Sequence, residues 1–386
     1  MPTNQTRLSM FTRYNTSLFF FLFLAATIFP APSPAASAEP IKIAGIFALT
    51  GKAKGSNNAA VLGTELAVRE INLTGGVLGQ PLELLLLDNS SSPIGSHLAA
   101  ETAVRAKVTG IVGAVWSSHS LAIAKVAEKN QIPMISPIST IPSLTSIGDH
   151  IFRVCYDDNF QGKAIAEFAF KELKARTALV FVDLTSDFSL TLTDIFIRTF
   201  QGLGGRIVKE IEYKAREDDY IDQINEASGH DADIVFLSGH DESGAIAEKL
   251  QEAGMKAIPV GSDGWDVDSF FTLGGNKIRQ GYFINHWTPS HANPLSRIFM
   301  KKYQNEGEIK ASTALAYDAV NVLVTAIKRA GSTDSKAIRQ NLHGLKGFKG
   351  ITGDITFDAM GNATKKACVM EIRQGIPSFL KSHVSD

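Results

Sequence analysis

The sequence predicts an α/β protein of two lobes, and three observations carry that prediction. Beyond residue 38, short apolar runs bounded by turn residues alternate with helix-length segments whose apolar residues recur at helical spacing. Such runs read as strands buried on both faces, and their alternation with helices argues for mostly parallel sheets covered on both sides. A unit of strand, serine-rich turn, helix and strand over residues 108–137 has an architectural counterpart over residues 232–264. Finally, 386 residues at 44% hydrophobic and 20% charged are ordinary globular material, enough for two or three domains that each bury a core.

In chain order, residues 41–49 (IKIAGIFAL) form a first strand, and residues 61–72 a helix with Val61, Val68 and Ile71 on one face. Turns at Gly75-Gly76 and Gly79-Gln80-Pro81 lead to a strand at 82–87 and a helix at 97–106. Residues 110–115 are the next strand, interrupted by Trp116-Ser117-Ser118, after which Ala122 and Val126 stand at i, i+4. A serine hydroxyl caps a helix at this point, and the free backbone N–H groups of its first turn suit an anion such as a carboxylate.

The pattern restarts near residues 152–158. A helix at 160–173 carries Ile165, Ala169 and Leu173, followed by a strand at 178–183, a helix at 189–203, a strand at 206–213 and a helix at 220–227. Strands at 234–238 and 258–261 flank the turn HDES and a helix bearing Ile246, Leu250 and Ala253. Sequence identity between the halves is negligible, so the repeat is one of architecture, with two turns at equivalent strand ends gripping something between them. The last third is too short for another domain. Its helices at 313–329 and 336–342 and strand-like runs at 353–357 and 367–373 complete both lobes, so the chain crosses between them more than once through a hinge of adjacent segments.

The first 38 residues stand apart. Arg7 and Arg13 are their only charges, followed by an apolar stretch at 18–29, prolines, and the small-residue site Ala36-Ser37-Ala38 ahead of Glu39. The stretch is shorter than the ~20 residues that span a bilayer, and the pattern is that of a cleavable secretory signal. No cysteine near the cleavage site marks a lipid anchor. Removing both arginines takes the formal charge from −1 to −3, a balance that gives no reason to expect nucleic acid or an anionic membrane as partner. Cys155 and Cys368 are the only cysteines. An oxidising compartment permits a disulfide, two buried thiols are an equal alternative, and neither has metal-ligand spacing around it.

Several segments, in consistent order over roughly the whole mature chain, resemble one family: 41–51 (IKIAGIFALTG), 70–82 (EINLTGGVLGQPL), 111–118, 135–140 (ISPIST), 258–266 (IPVGSDGWD) and 316–323 (AYDAVNVL). It is the periplasmic amino-acid-binding proteins of ABC transporters, of the leucine/isoleucine/valine-binding type. No single segment is specific; order and spacing together carry the likeness. The resemblance implies a type I periplasmic binding fold, two Rossmann-like lobes joined by a three-segment hinge that close on ligand and engage a membrane permease. It assigns 39–156 and 286–357 to the first lobe, and 157–285 and 358–386 to the second. The product expected is a monomeric periplasmic protein without cofactor or metal, binding a small molecule, an amino acid or close analogue.

Carried over residue by residue, the Ser117 hydroxyl resembles the family's contact to the ligand α-carboxylate. Ile138 contributes backbone, and Thr140 its hydroxyl and amide, to the same head group, while Asp263 sits where the family faces an acid to the α-ammonium. Position agrees, since open α/β sheets bind ligands outside the carboxyl ends of their strands. Where branched-chain binders carry aromatic residues, this chain has Ser56, His240 and Ser312 and keeps one aromatic, Phe188. That departure favours a larger or more polar side chain, with His240 or Asp241 meeting its polar group. Trp116 and Trp265 flank the head-group contacts.

Blander readings stand beside these. Ser117 and Ser118 serve as helix caps, Thr140 as a turn residue before Pro142, Asp263 as part of a Ser-Asp-Gly turn, His240 as a loop histidine, and the tryptophans as packing. Thr50-Gly51-Lys52 lacks the phosphate-loop pattern, and no G-x-G-x-x-G follows the first strand. H-E-x-x-H and G-x-S-x-G are absent, and Ser117 and His119, two apart at a helix start, point in different directions. The chain is therefore read as a binding protein, with a ligand sensor acting through a separate receptor as the alternative and a hydrolase behind both.

Overall fold

Strand β1 (Ile41–Phe47) shows how the sequence builds the first lobe. Ile41, Ile43 and Phe47 enter one core cluster and Ala44 and Ile46 another, because successive strand side chains point to opposite faces. In the computed structural model, which describes residues 39–215 and 219–383, β1 is followed by α1 (Lys54–Leu73), β2 (Leu82–Asp88) and α2 (Pro93–Arg105). Next come β3 (Gly110–Gly113), α3 (Ser117–Lys129), β4 (Met134–Ser136) and β5 (Ile151–Arg153). These strands make a parallel sheet in the order β2-β1-β3-β4-β5. The segment expected to be a signal, 1–38, lies outside the described residues.

The second lobe repeats the plan with α4 (Asp158–Glu167), β6 (Thr177–Asp183), α5 (Asp187–Gly202), β7 (Arg206–Tyr213) and α6 (Ile221–Ser228). It continues through β8 (Ile234–Leu237), α7 (Glu242–Glu252), β9 (Ile258–Gly261), α8 (Asp268–Leu273) and β10 (Gln280–Asn285). Their sheet order β7-β6-β8-β9-β10 reproduces that of the first lobe strand for strand. Alternation again feeds two cores: Ala178 and Val180 one, Leu179 and Phe181 the other.

The chain then returns to the first lobe. It forms α9 (Pro294–Tyr303), α10 (Ala311–Ala330), α11 (Ser335–His343) and a hairpin of β11 (Phe348–Gly350) and β12 (Gly353–Ile355). Leu315, Val320 and Leu323 of α10 pack into the core over the first sheet. Finally β13 (Ala367–Arg373) and β14 (Ile376–His383) extend the second sheet, β13 antiparallel to β10 and β14 antiparallel to β13. The chain thus passes between lobes three times.

The last passage comes later than the expected 357/358 boundary. Asp358 holds the N–H groups of Met360 and Asn362 in a tight turn, which folds Asn362 onto Arg153 and Ala363 into the first-lobe core. Helix α1 also starts earlier than the expected residue 61. The polar first turn is anchored by Asn57, whose side chain accepts from the Ala48 N–H at 3.1 Å and donates to the Ala53 carbonyl at 2.8 Å. Strands β10 (QGYFIN) and β14 and helix α9 are elements that the reading of the sequence did not assign.

Candidate functional site

Because both sheets share one strand order, the turns after β3 and β8 are equivalent, and each ends at the carboxyl edge where such sheets bind ligands. The lobes meet there around a cleft of about 570 Å³, counting its mouth. The first lobe contributes Trp116, Ser117, Ile138 and Thr140 to its wall, and the second Phe188, His240 and Asp263. All seven residues singled out in the sequence are thereby brought together, with Ser56 and Ser312 beside them. Trp265 is not among them. It is fully buried, stacked on Phe270 at 4.6 Å, and belongs to the second-lobe core. Gly261 makes its room, since a Cβ there would come within 2.0 Å of the indole.

Ser117 is the first residue of α3 and is buried. Its Oγ accepts the Ile141 N–H at 3.4 Å, which leaves its own O–H to donate. The first turn of α3 adds unbonded amide donors and the positive end of the helix dipole. Facing it from the other lobe, Asp263 is held by His286, whose Nε2 lies 3.0 Å from Oδ2. Asp263 Oδ1 is buried and has no hydrogen-bond partner. A buried carboxylate oxygen without a partner is costly, so the cleft presents one unmet negative group and one unmet set of donors.

Beneath these sits Asp158, fully buried at the start of α4. Burial first, and then the charge of Asp263, hold its carboxyl well above the usual carboxylate range. Gln161 ties the two acids together, donating to Asp158 Oδ1 at 3.3 Å and accepting the Asp263 N–H at 3.4 Å. Buried Arg153 donates to the carbonyls of Ser139 and Pro142 and to the Thr145 hydroxyl, at 3.1, 3.2 and 3.4 Å. It thereby fixes the loop that presents Ile138 and Thr140. Asp158, Gln161, Arg153 and His286 were not found from the sequence. The doublet Asp157-Asp158 ahead of a helix reads as an N-cap, which Asp157 is, and nothing local distinguishes the second acid.

An aromatic row crosses the cleft. Trp116 stacks on His119 with ring centroids 5.4 Å apart and lies 5.1 Å from His240, which lies 4.9 Å from Phe188. Across the mouth, the Ala311 N–H donates to Asp266 at 3.2 Å and Lys310 pairs with Asp268 at 2.5 Å. These links join the lobes across the mouth of the cleft. Cys155 and Cys368 are free and buried. Burial pushes the thiols up to about 12 and about 11, where neither is a nucleophile at neutral pH. Among the described residues no His, Cys, Asp and Glu group could hold a metal ion, and no helix is long and apolar enough to cross a membrane.

Residues 40–376 match the family model described as periplasmic binding protein. Leu/Ile/Val-binding protein homolog 3 of Brucella melitensis is 28% identical over 348 residues, 88% of this chain and 93% of that protein. The crystal structure of a leucine-binding protein from Thermotoga maritima superposes with a TM-score of 0.84 at 34% identity, over 89% of this chain and 98% of that one. A branched-chain amino acid transporter substrate-binding protein of Streptococcus pneumoniae, solved with isoleucine, gives a TM-score of 0.84 at 28% identity, over 90% and 99% of the two chains.

Proposed function

The chain belongs to the periplasmic binding protein family, and from that premise we propose that it is the substrate-binding protein of an ABC importer, capturing an amino acid between its lobes. It is a binding protein and not an enzyme. The observation that carries the choice of ligand is the orphaned Asp263 Oδ1 facing the donors at the start of α3. An α-amino acid is the small molecule that meets both: its ammonium pairs with Asp263, and its carboxylate accepts from Ser117 and the α3 amides. The neighbouring Ile138 backbone and the Thr140 backbone and hydroxyl extend the head-group contacts.

Mechanism follows from geometry. The two halves of the head-group site belong to different lobes, so only the closed form satisfies both charges, and a ligand with both shifts the population toward it. The ligand's charge replaces one that the protein leaves unpaired, which offsets the cost of burying Asp263. Trp116, His240 and Phe188, with Ser56 and Ser312, would line the side-chain pocket, a mixed aromatic and polar wall. The closed protein then docks as a monomer on an inner-membrane permease, after export to the periplasm with loss of residues 1–38.

The experiment is a thermal-shift screen of refolded, ligand-free protein against the twenty amino acids and against carboxylates lacking the amine. A ligand at 100 times its dissociation constant adds ~2.7 kcal/mol, several degrees at ~2–4 °C per kcal/mol. A shift with an α-amino acid, absent with its desamino analogue, is expected. A shift from the carboxylate alone, with silence from every amino acid, would remove Asp263 from its role.

A further inference from the structure

Helix α10 starts on a residue that suits the position poorly. Its N-cap is Lys310, whose ammonium has no lone pair to offer the free amides of the first turn. The same ammonium adds positive charge at the positive end of the helix. The first lobe corrects this only in part. The Thr313 hydroxyl accepts the Lys310 N–H at 3.3 Å, and Glu308 lies 3.7 Å from the Lys310 ammonium.

The second lobe supplies the rest. Asp266, in the turn after β9, accepts the Ala311 N–H at 3.2 Å, and Asp268, the first residue of α8, pairs with the Lys310 ammonium at 2.5 Å. Asp266 is braced from its own lobe by Asn285 of β10, whose Oδ1 accepts the His286 N–H at 2.8 Å and whose amide bonds the Asp266 carboxyl. The Lys310 side chain is only 11% exposed, so its pairing with Asp268 is partly shielded from water. These contacts stand at an opening. Ser56, Val267 and Ser312 line both the cleft and an outer recess of about 630 Å³, counting its mouth, whose wall carries Asp268, Glu308 and Lys310. A movement that parts the lobes at this point breaks both links and joins the cleft to solvent.

We propose that Asp266, Asp268 and Lys310 form a latch between the lobes, which slows the release of a bound amino acid by holding the lobes together and not by contacting the ligand. Contacts made only when the lobes meet stabilise that arrangement and leave the parted one unchanged, so they shift the population toward it whatever the ligand. Parting the lobes also strips the start of α10 of an acceptor and of a counter-charge that its own sequence does not provide. The latch acts on departure more than on arrival, since a ligand enters while the links are open. Its effect on a ligand rests on the cleft reading above; the links themselves do not.

The protein purified from the periplasm is loaded with radiolabelled leucine, and release into excess unlabelled leucine is timed. Asp266→Ala is expected to release it about fivefold faster and Lys310→Met about two- to fivefold faster, with association little changed. Asp266→Asn keeps an acceptor for the Ala311 N–H and is expected to recover most of the difference. Asp268→Asn combined with Lys310→Met is expected to release no faster than Lys310→Met alone, because the two changes break one link. Glu308→Gln, whose contact with Lys310 lies within one lobe, is expected to leave release unchanged, and a change there equal to that of Lys310→Met overturns the latch. Asp266 also lines the cleft, so an effect confined to Asp266→Ala marks a ligand contact and overturns the latch, as does wild-type release in both variants. Lys310→Met and Asp268→Asn, near the surface, decide the matter should Asp266→Ala fail to fold. If leucine does not bind the wild type, the cleft reading is what fails for leucine, and small-angle scattering from ligand-free protein decides: a larger radius of gyration in Lys310→Met supports the latch, an unchanged one overturns it.

Discussion

On the proposed reading, Asp263 and Ser117 are expected to contribute unequally to the same head-group site. Truncating Asp263 to Ala leaves a ligand ammonium buried without its counter-charge, and ~2–5 kcal/mol of binding is expected to go, by analogy with other buried charge pairs. Ser117→Ala removes one donor from a set that includes backbone amides, so ~1.5–3 kcal/mol is expected. Calorimetry on both variants with the ligand found by screening checks the pair, and unchanged affinity in both would sink the assignment. His119 offers a test that needs no ligand. Burial pushes it from the usual 6.5 down to about 4, so the unfolded chain takes up its proton first as pH falls. Its stability contribution is full above pH 6.5 and is lost between there and about pH 4, at most ~3 kcal/mol. Asp266, raised to about 6 by burial, acts in the opposite sense between about pH 6 and 3.8. The informative measurement is therefore the difference between wild type and His119→Gln in urea midpoints at pH 7.5 and 4.5, where the variant is expected to lose less.

At the scale of elements, the close approach of α1 and α10 sets the first-lobe wall of the cleft, because Ser56 and Ser312 stand at their starts. Gly63 permits it: a Cβ there would lie 2.0 Å from the Thr313 carbonyl oxygen. In an exposed helix Gly→Ala gains about 1 kcal/mol, whereas overpacking costs ~1–3 kcal/mol. Gly63→Ala is therefore expected to lower the melting temperature, and a rise would contradict the packing. The central strands of both sheets were legible because burial on both faces leaves a largely apolar run, as in β1, β6 and β8. Strand β14 was not legible. It is an edge strand with mostly exposed side chains, and β13 is the one strand it pairs with.

For the whole molecule, the proposed reading makes closure a rotation of the two sheets about the three passages between lobes, with the ligand completing a site that neither lobe holds alone. Scattering is expected to show contraction when the screened ligand is added to the stripped protein, and no contraction in Asp263→Ala at the same concentration. Contraction that persists in the variant at full amplitude would mean that the acid is not what couples ligand to closure.

What the sequence determined by itself was the two-lobed α/β plan, its internal repeat, and the residues at the strand ends. Strand burial, helical spacing and turn chemistry are local properties, and a carboxyl-end turn is recognisable wherever its strand is. Only the tertiary structure decided how those turns are equipped. Trp265 sits four residues from β9 yet packs into the core, since the space left by Gly261 draws it inward. Asp158, His286 and Arg153 acquire their parts from partners that the sheet edges and the crossings bring to them, such as Asp263 for His286. The links across the mouth exist because Asp266 and Asp268 meet Ala311 and Lys310 from the opposite lobe. Contacts of that range depend on the path of the whole chain, which no window of sequence contains.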